Sequence, residues 1–360
     1  MRKFVSIITL VILMVVVAAC GSNSGNNSST SSASPSASSQ ASNDTAQSSA
    51  APSEAPKFKT VDSKATASVL EATLGQVPQP SKPYKIGVVL KTLSNEHWQE
   101  MKKGYEEAAA KYGVTVDVQA AKDESDLTGQ LQIAETMLNK GYDAIAVSPL
   151  SSSNLQPALD KAKSLNIPVI NVDDSKVEAT VFVGGDHREM GAMAAAYISS
   201  KLGGKGEVGQ VEGQAGSPAA LQRIDGYKSG MTDDLKLVAS QPGDWDRLKA
   251  LEATNNMLKA NPNIKAIYAN NDTMALGVVE ALKNNKRTDI IVIGTDGVPD
   301  AIESIRKGEL TGSIATFPYD MGYTAVEVTI RLLEGQEVPN TIVSRQELVD
   351  KDNVDQLFPK

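Results

Sequence analysis

Lys85-Ile-Gly-Val-Val-Leu90-Lys-Thr-Leu-Ser-Asn95-Glu-His-Trp98 is the stretch that decides the fold. Ile86 to Leu90 is a continuous apolar run, too short for a helix, and it reads as a strand buried on both faces. A polar loop follows, and helical periodicity runs from Glu96 to Tyr112. Buried strand, polar loop and amphipathic helix form the first half of a βαβ unit. Such a unit needs a parallel neighbour.

The same alternation continues outward. Val114 to Val118, Asp143 to Ser148, Pro168 to Asp173 and Ala179 to Gly184 read as strands, with helices at Leu127 to Asn139 and Leu155 to Leu165. The pattern then restarts. Helices are expected at His187 to Leu202, Ala219 to Met231, Trp245 to Ala260, Met274 to Asn284, Ala301 to Lys307 and Met321 to Leu333. Strands are expected at Glu207 to Val211, Leu237 to Gln241, Ala266 to Asn270, Ile290 to Gly294 and Gly312 to Phe317. So many units exceed one ordinary doubly wound sheet, so the fold class is α/β with two doubly wound parallel-sheet lobes. Gly204-Lys-Gly206-Glu-Val-Gly209 fits a Gly-x-Gly-x-x-Gly pattern, but it follows a helix and leads into a strand. That order is the reverse of a dinucleotide site and marks a helix-ending turn.

In open parallel sheets ligands bind beyond the carboxyl ends of the strands. Those positions here carry Lys91, Asn95, His97, Trp98, Asp173, Arg223, Trp245, Asn271, Asp296 and Thr316. Carboxylates accept from paired hydroxyls, Arg presents a fork of donors, and Asn offers both roles. An indole face packs on the apolar C–H face of a sugar ring. The set suits a polyhydroxylated ligand.

The region from Tyr84 to the C-terminus resembles the periplasmic ribose-type sugar-binding proteins, most of all their D-allose-binding branch. The segments that carry the resemblance include Val89-Leu-Lys-Thr-Leu-Ser-Asn95, Val147-Ser-Pro-Leu-Ser-Ser-Ser-Asn154, Val238 to Ala250, Asn261 to Gly277 and Ile293-Gly-Thr-Asp-Gly-Val-Pro-Asp300. The resemblance implies a type I periplasmic-binding-protein fold whose lobes are joined by a hinge. It places 84–186 plus 317–345 in the N-terminal lobe, and 187–316 plus 346–360 in the C-terminal lobe. It implies that the ten residues above contact a monosaccharide. Trp98 would pack on the ring, Asp173 and Asp296 would take hydroxyls, Arg223 would clamp oxygens, and Lys91 would favour an allose-like pattern. His97 stands where the family carries Phe, and Thr316 where glutamine is common. The implied activity is that of the sugar-binding component of an ABC-type importer, docking on a membrane permease, monomeric and without a cofactor. A sensor subunit that presents sugar to a receptor kinase would share these lobes.

The N-terminus supplies the address. Arg2 and Lys3 precede an apolar run from Phe4 to Val17, and Val17-Ala-Ala-Cys20 closes it. This is the three-part logic of a signal peptide over 1–19. The ending resembles a bacterial lipobox, which implies a lipidated Cys20 and an extracytoplasmic, membrane-anchored protein. Residues 20–57, rich in Ser and without Val, Ile, Leu, Met or aromatics after Cys20, read as a disordered linker. Residues 58–83 form an N-terminal extension with a short apolar helix pattern and three prolines near its end. A formal charge of −8 argues against nucleic acid as a partner. One cysteine and two histidines leave no disulfide and no His-based metal site. Asp173 and Asp296 as a glycosidase pair is the enzyme alternative, but no nucleophile elbow or acid/base histidine constellation accompanies them.

Overall fold

The computed structural model describes residues 58–173 and 177–360. In chain order the first elements are β1 (Thr60–Thr66), α1 (Leu70–Leu74), β2 (Lys85–Leu90), α2 (Glu96–Tyr112), β3 (Thr115–Ala120) and α3 (Leu127–Asn139). Next come β4 (Ala144–Val147), α4 (Gln156–Ser164), β5 (Val169–Val172), β6 (Val181–Gly184), α5 (His187–Leu202), β7 (Gly206–Glu212) and α6 (Pro218–Gly230). Then follow β8 (Leu235–Pro242), α7 (Arg247–Ala260), β9 (Ile264–Ala269), α8 (Asp272–Asn284), β10 (Ile291–Asp296) and α9 (Pro299–Arg306). The chain ends with β11 (Gly312–Ala315), α10 (Pro318–Leu333), β12 (Val338–Val343), β13 (Glu347–Asp350) and α11 (Val354–Leu357).

Two sheets result. The first has the order β1-β12-β6-β5-β4-β2-β3, and the second β13-β11-β10-β9-β7-β8. All pairings are parallel except β13 against β11. Each sheet is covered on both faces. One core of the first sheet gathers Trp98, Met101 and Tyr105 of α2 with Met321 and Val326 of α10, and the opposite one gathers Met137, Leu155 and Leu159. The second sheet has α5 and α6 on one face, and α7 and α8 on the other. Burial on both sides explains why Val-Val-Leu, Ala-Ile-Ala-Val and Val-Ile-Asn-Val show no alternation. The chain crosses between the sheets over 184–187, 315–318 and 343–347.

The N-terminal extension is part of the first sheet, which its sequence did not announce. β1 adds a parallel edge strand to β12, although Thr60–Thr66 is exposed at almost every position. Arg331 of α10 is 1% exposed and holds the extension from inside the molecule. Its Nη2 donates to the Gly75 carbonyl at 2.6 Å, and its Nη1 to the carbonyls of Leu74 and Gln76, each at 3.5 Å. These are carbonyls at the end of α1, where a helix leaves acceptors unpaired and favours a cation. No helix among the described residues is long and apolar enough to cross a membrane.

Candidate functional site

The carboxyl ends of the two sheets face a common small cavity, lined by Lys91, Asn95, His97, Trp98, Glu124, Asp173, Ala219, Arg223, Trp245, Asn271 and Asp296.

The wall on the first sheet is built from loop residues and the first turn of α2. Asn95 Oδ1 accepts from the His97 N–H at 3.1 Å, so Asn95 caps α2 while also lining the cavity. That cap fixes the next two rings. His97 and Trp98 meet edge to face with centroids 4.7 Å apart. Trp98 Nε1 donates to Glu124 Oε1 at 3.1 Å, and the Lys91 ammonium lies 5.5 Å from the Trp98 ring centre. Asp173 follows β5 with φ of 73°, in the left-handed region, and its carbonyl accepts from His187 Nε2 at 2.7 Å.

The opposite wall is braced from behind. Arg223 of α6 is 3% exposed, and its Nη1 donates to the Asn270 carbonyl at 2.5 Å. Its Nη2 stands 3.5 Å from Asp296 Oδ1, and its guanidinium 5.9 Å from the Trp245 ring centre. Asn271 Oδ1 accepts from the Met274 N–H at 2.9 Å, capping α8. Asp272, the first residue of α8, turns beneath the cavity. Its carboxylate accepts from the Gly297 and Val298 N–H groups at 2.7 and 3.1 Å and from Ser313 Oγ at 2.7 Å, tying the loop after Asp296 to α8. Asp296 has φ of 133°, so both cavity aspartates hold left-handed backbones at strand ends. Such strain persists where the surroundings fix it, and it concentrates at functional sites.

Two sequence expectations change. Thr316 does not line the cavity. β11 stops at Ala315, and Thr316 is fully buried beside it, its N–H and Oγ1 donating to the Asp296 carbonyl at 2.9 and 3.3 Å. Too short to reach past that carbonyl, it supports Asp296 from behind. Trp245 does not begin a helix. Asp244 and Trp245 have φ of 51° and 62°, and α7 starts at Arg247. That turn seats the indole on Gly213, where an added Cβ would come within 2.1 Å of Trp245 Cη2. Glu124 and Ala219 line the cavity without having been picked out. Glu124 follows β3, and the strand-end rule applied to that strand would have found it. Ala219 carries no chemical signal. Cys20 lies outside the described residues.

The electrostatics favour a neutral polar guest. Burial opposes ionisation of Asp173, yet His97, His187, Lys91 and Arg223 hold its carboxyl at about 2. Glu124 is pushed up by burial, with Lys91 and the Trp98 bond pulling the other way. Both ring nitrogens of His97, Asp173 Oδ1, Arg223 Nε and Trp245 Nε1 are buried without a hydrogen-bond partner among the described residues. Each such atom costs about 1–3 kcal/mol unless something satisfies it. Among the described residues no group of three His, Cys, Asp or Glu side chains is placed to hold a metal.

Comparison with known proteins agrees with this arrangement. A periplasmic binding protein domain model matches residues 86–337. The D-allose-binding periplasmic protein of Escherichia coli is 42% identical over 279 residues, covering 73% of this chain and 89% of that protein. The ribose import binding protein of Bacillus subtilis is 36% identical, covering 77% of this chain and 92% of that protein. Among solved structures, an ABC transporter periplasmic solute-binding protein from Actinobacillus succinogenes with bound D-allose superposes with a TM-score of 0.73 at 33% identity. The match covers 76% of this chain and 99% of that one.

Proposed function

The chain belongs to the periplasmic binding protein family, and from that premise we propose that it captures a monosaccharide in the cavity and delivers it to an ABC-type importer. One observation carries the reading. Asp173 and Asp296, Arg223, Asn271 and two indole rings converge from two sheets on one small cavity and keep buried polar atoms without partners. A ring with several hydroxyls satisfies such atoms, and its apolar face suits Trp98 and Trp245. A sugar missing one hydroxyl would leave a buried group unpaired, so the set discriminates among sugars. The relatives named above bind allose and ribose, which makes a hexose or pentose of that type the first candidate.

On this reading the two sheets are cores of lobes, 84–186 plus 317–345 and 187–316 plus 346–360, that turn about the crossing segments. The ligand stabilises the closed arrangement by touching both walls at once. Residues 1–19 direct export, and lipid on Cys20 holds the protein at the membrane as a monomer beside its permease, with 20–57 as tether. The role is binding without turnover, so sugar recovered after long incubation is chemically unchanged. A thermal-shift screen against pentoses, hexoses and polyols tests the reading. A ligand of this site raises the melting temperature by mass action. No shift with any of them at millimolar concentration would refute it.

A further inference from the structure

His97 occupies an unusual electrostatic position. It belongs to the first turn of α2 on one wall, yet its ring stands between carboxylates from both walls. Its Nε2 is 3.7 Å from Asp173 Oδ1 on its own side, and its Nδ1 is 3.4 Å from Asp296 Oδ1 across the cavity. The ring is 4% exposed, and no hydrogen bond within the described residues satisfies either nitrogen.

Asp173, Asp296 and Arg223 are each 3% exposed, so a sugar reaches them only if the walls part. Parting leaves Asp173 beside His97 and carries Asp296 away. A proton on His97 therefore interacts more favourably with the protein when the walls are together than when they are apart. We propose that His97 makes ligand capture proton-linked, so that closing on the sugar takes up a proton and affinity rises as pH falls. The inference rests on the sugar-binding reading above.

The surrounding charges decide the sign. Lys91, Glu124 and Asp173 are on the His97 side, while Asp296, Arg223 and His187, at the start of α5 against the Asp173 carbonyl, come from the other. Burial works against the imidazolium. Asp296 and Asp173 outweigh it and raise His97 above its ordinary value, with Arg223 opposing. A closed-state value raised above the open-state one means that the extra affinity is fully present below the open-state value of His97 and fades as pH rises through the closed-state one. Glu96 also crosses the gap, accepting from the Asp300 N–H at 3.4 Å, so variants at His97 are needed to assign the effect.

The test is titration calorimetry of the whole chain with D-allose and D-ribose between about pH 6 and pH 8.5, the span in which a histidine titrates. Runs in phosphate and in Tris separate heats of binding from heats of protonation. The expected result is a dissociation constant that rises with pH on the order of fivefold, with net proton uptake on binding. In His97→Phe and His97→Gln both effects disappear, whatever the absolute affinity of each variant. A wild-type affinity and proton count that ignore pH overturn the inference and leave sugar binding standing, as does a slope that survives in both variants. Absence of binding by these two sugars and by every other pentose, hexose and polyol of the thermal-shift screen overturns both.

Discussion

The two walls of the cavity are made of similar residue types but supported differently. Behind Arg223, Asn271 and Asp296 lies a layer of fixed partners: the Asn270 carbonyl, the Asp272 carboxylate and Thr316. On the opposite wall His97 meets Trp98 and Asp173, and Trp98 meets Lys91 and Glu124, so that these side-chain contacts run among the cavity-lining residues themselves. On the proposed reading, the first wall would hold a sugar in one pose, and the second would distinguish one sugar from another. Substitutions on the braced wall should therefore abolish binding of every sugar, while those on the other wall should change the ranking.

The largest effect is expected from Asp296→Ala and from Arg223→Ala. Either change removes one member of the pair and leaves the other buried without it, a loss of several kcal/mol. By thermal shift, sugar protection vanishes while the unliganded protein still melts cooperatively. Full protection in either variant would show that its residue does not belong to the site.

Asp272 separates bracing from contact. Asp272→Ala leaves the Gly297 and Val298 N–H groups and the Ser313 hydroxyl unpaired, costing about 2–4 kcal/mol in urea unfolding. Its carboxyl is pushed up to about 7, mainly by burial and then by Asp296, whereas Asp173 is held at about 2. The two give opposite pH signatures. Asp173 contributes stability above the ordinary carboxylate value, and that contribution is lost as pH falls toward about 2. Asp272 binds its proton more tightly when folded, so its contribution declines as pH rises from about 4 toward about 7. Asp272→Asn should flatten the decline measured by urea titrations across that range. An unchanged slope would mean that Asp272 is not what sets it.

How much of this was legible depends on what each residue does for the chain around it. The parallel strands announce themselves because burial on both faces demands runs such as Ile86 to Leu90 and Ala144 to Val147. β1 gives no such signal. Thr60–Thr66 is polar and lies at an edge, and it is recruited by pairing with β12 and by the carbonyl clamp of Arg331, both remote in sequence. In the site, strand-end position located every lining residue except Glu124 and Ala219. Glu124 sits in Lys122-Asp-Glu-Ser-Asp126, a charged stretch that looks like an ordinary solvated loop until Trp98 and Lys91 are folded against it. Asn95 and Asn271 could be read as helix caps or as ligand residues, and each is placed to be both. Thr316 misled because strand-end position does not say on which side of the backbone a short side chain falls.

On the discriminating wall, Glu124→Gln and Trp98→Phe each alter the contact between Glu124 and the indole. Binding should weaken by no more than about tenfold, on the order of one charged hydrogen bond. The decisive readout is the order of preference among a hexose, its epimers and a pentose, measured by calorimetry. A uniform loss across all of them would place this wall in the same class as the braced one and remove the distinction.

The smallest effect belongs to Thr316→Val, and it tests the bracing idea at its limit. The substitution keeps the shape and the backbone N–H that donates to Asp296 at 2.9 Å, and it deletes only the 3.3 Å hydroxyl bond to the same carbonyl. One long neutral hydrogen bond with a satisfied acceptor is worth under about 1 kcal/mol, so the dissociation constant should change by less than about fivefold for every sugar alike. If the hydroxyl touches the ligand, the loss will instead fall on one sugar and spare its epimer. A selective loss of that kind would return Thr316 to the cavity and require the β11 end to move when ligand binds.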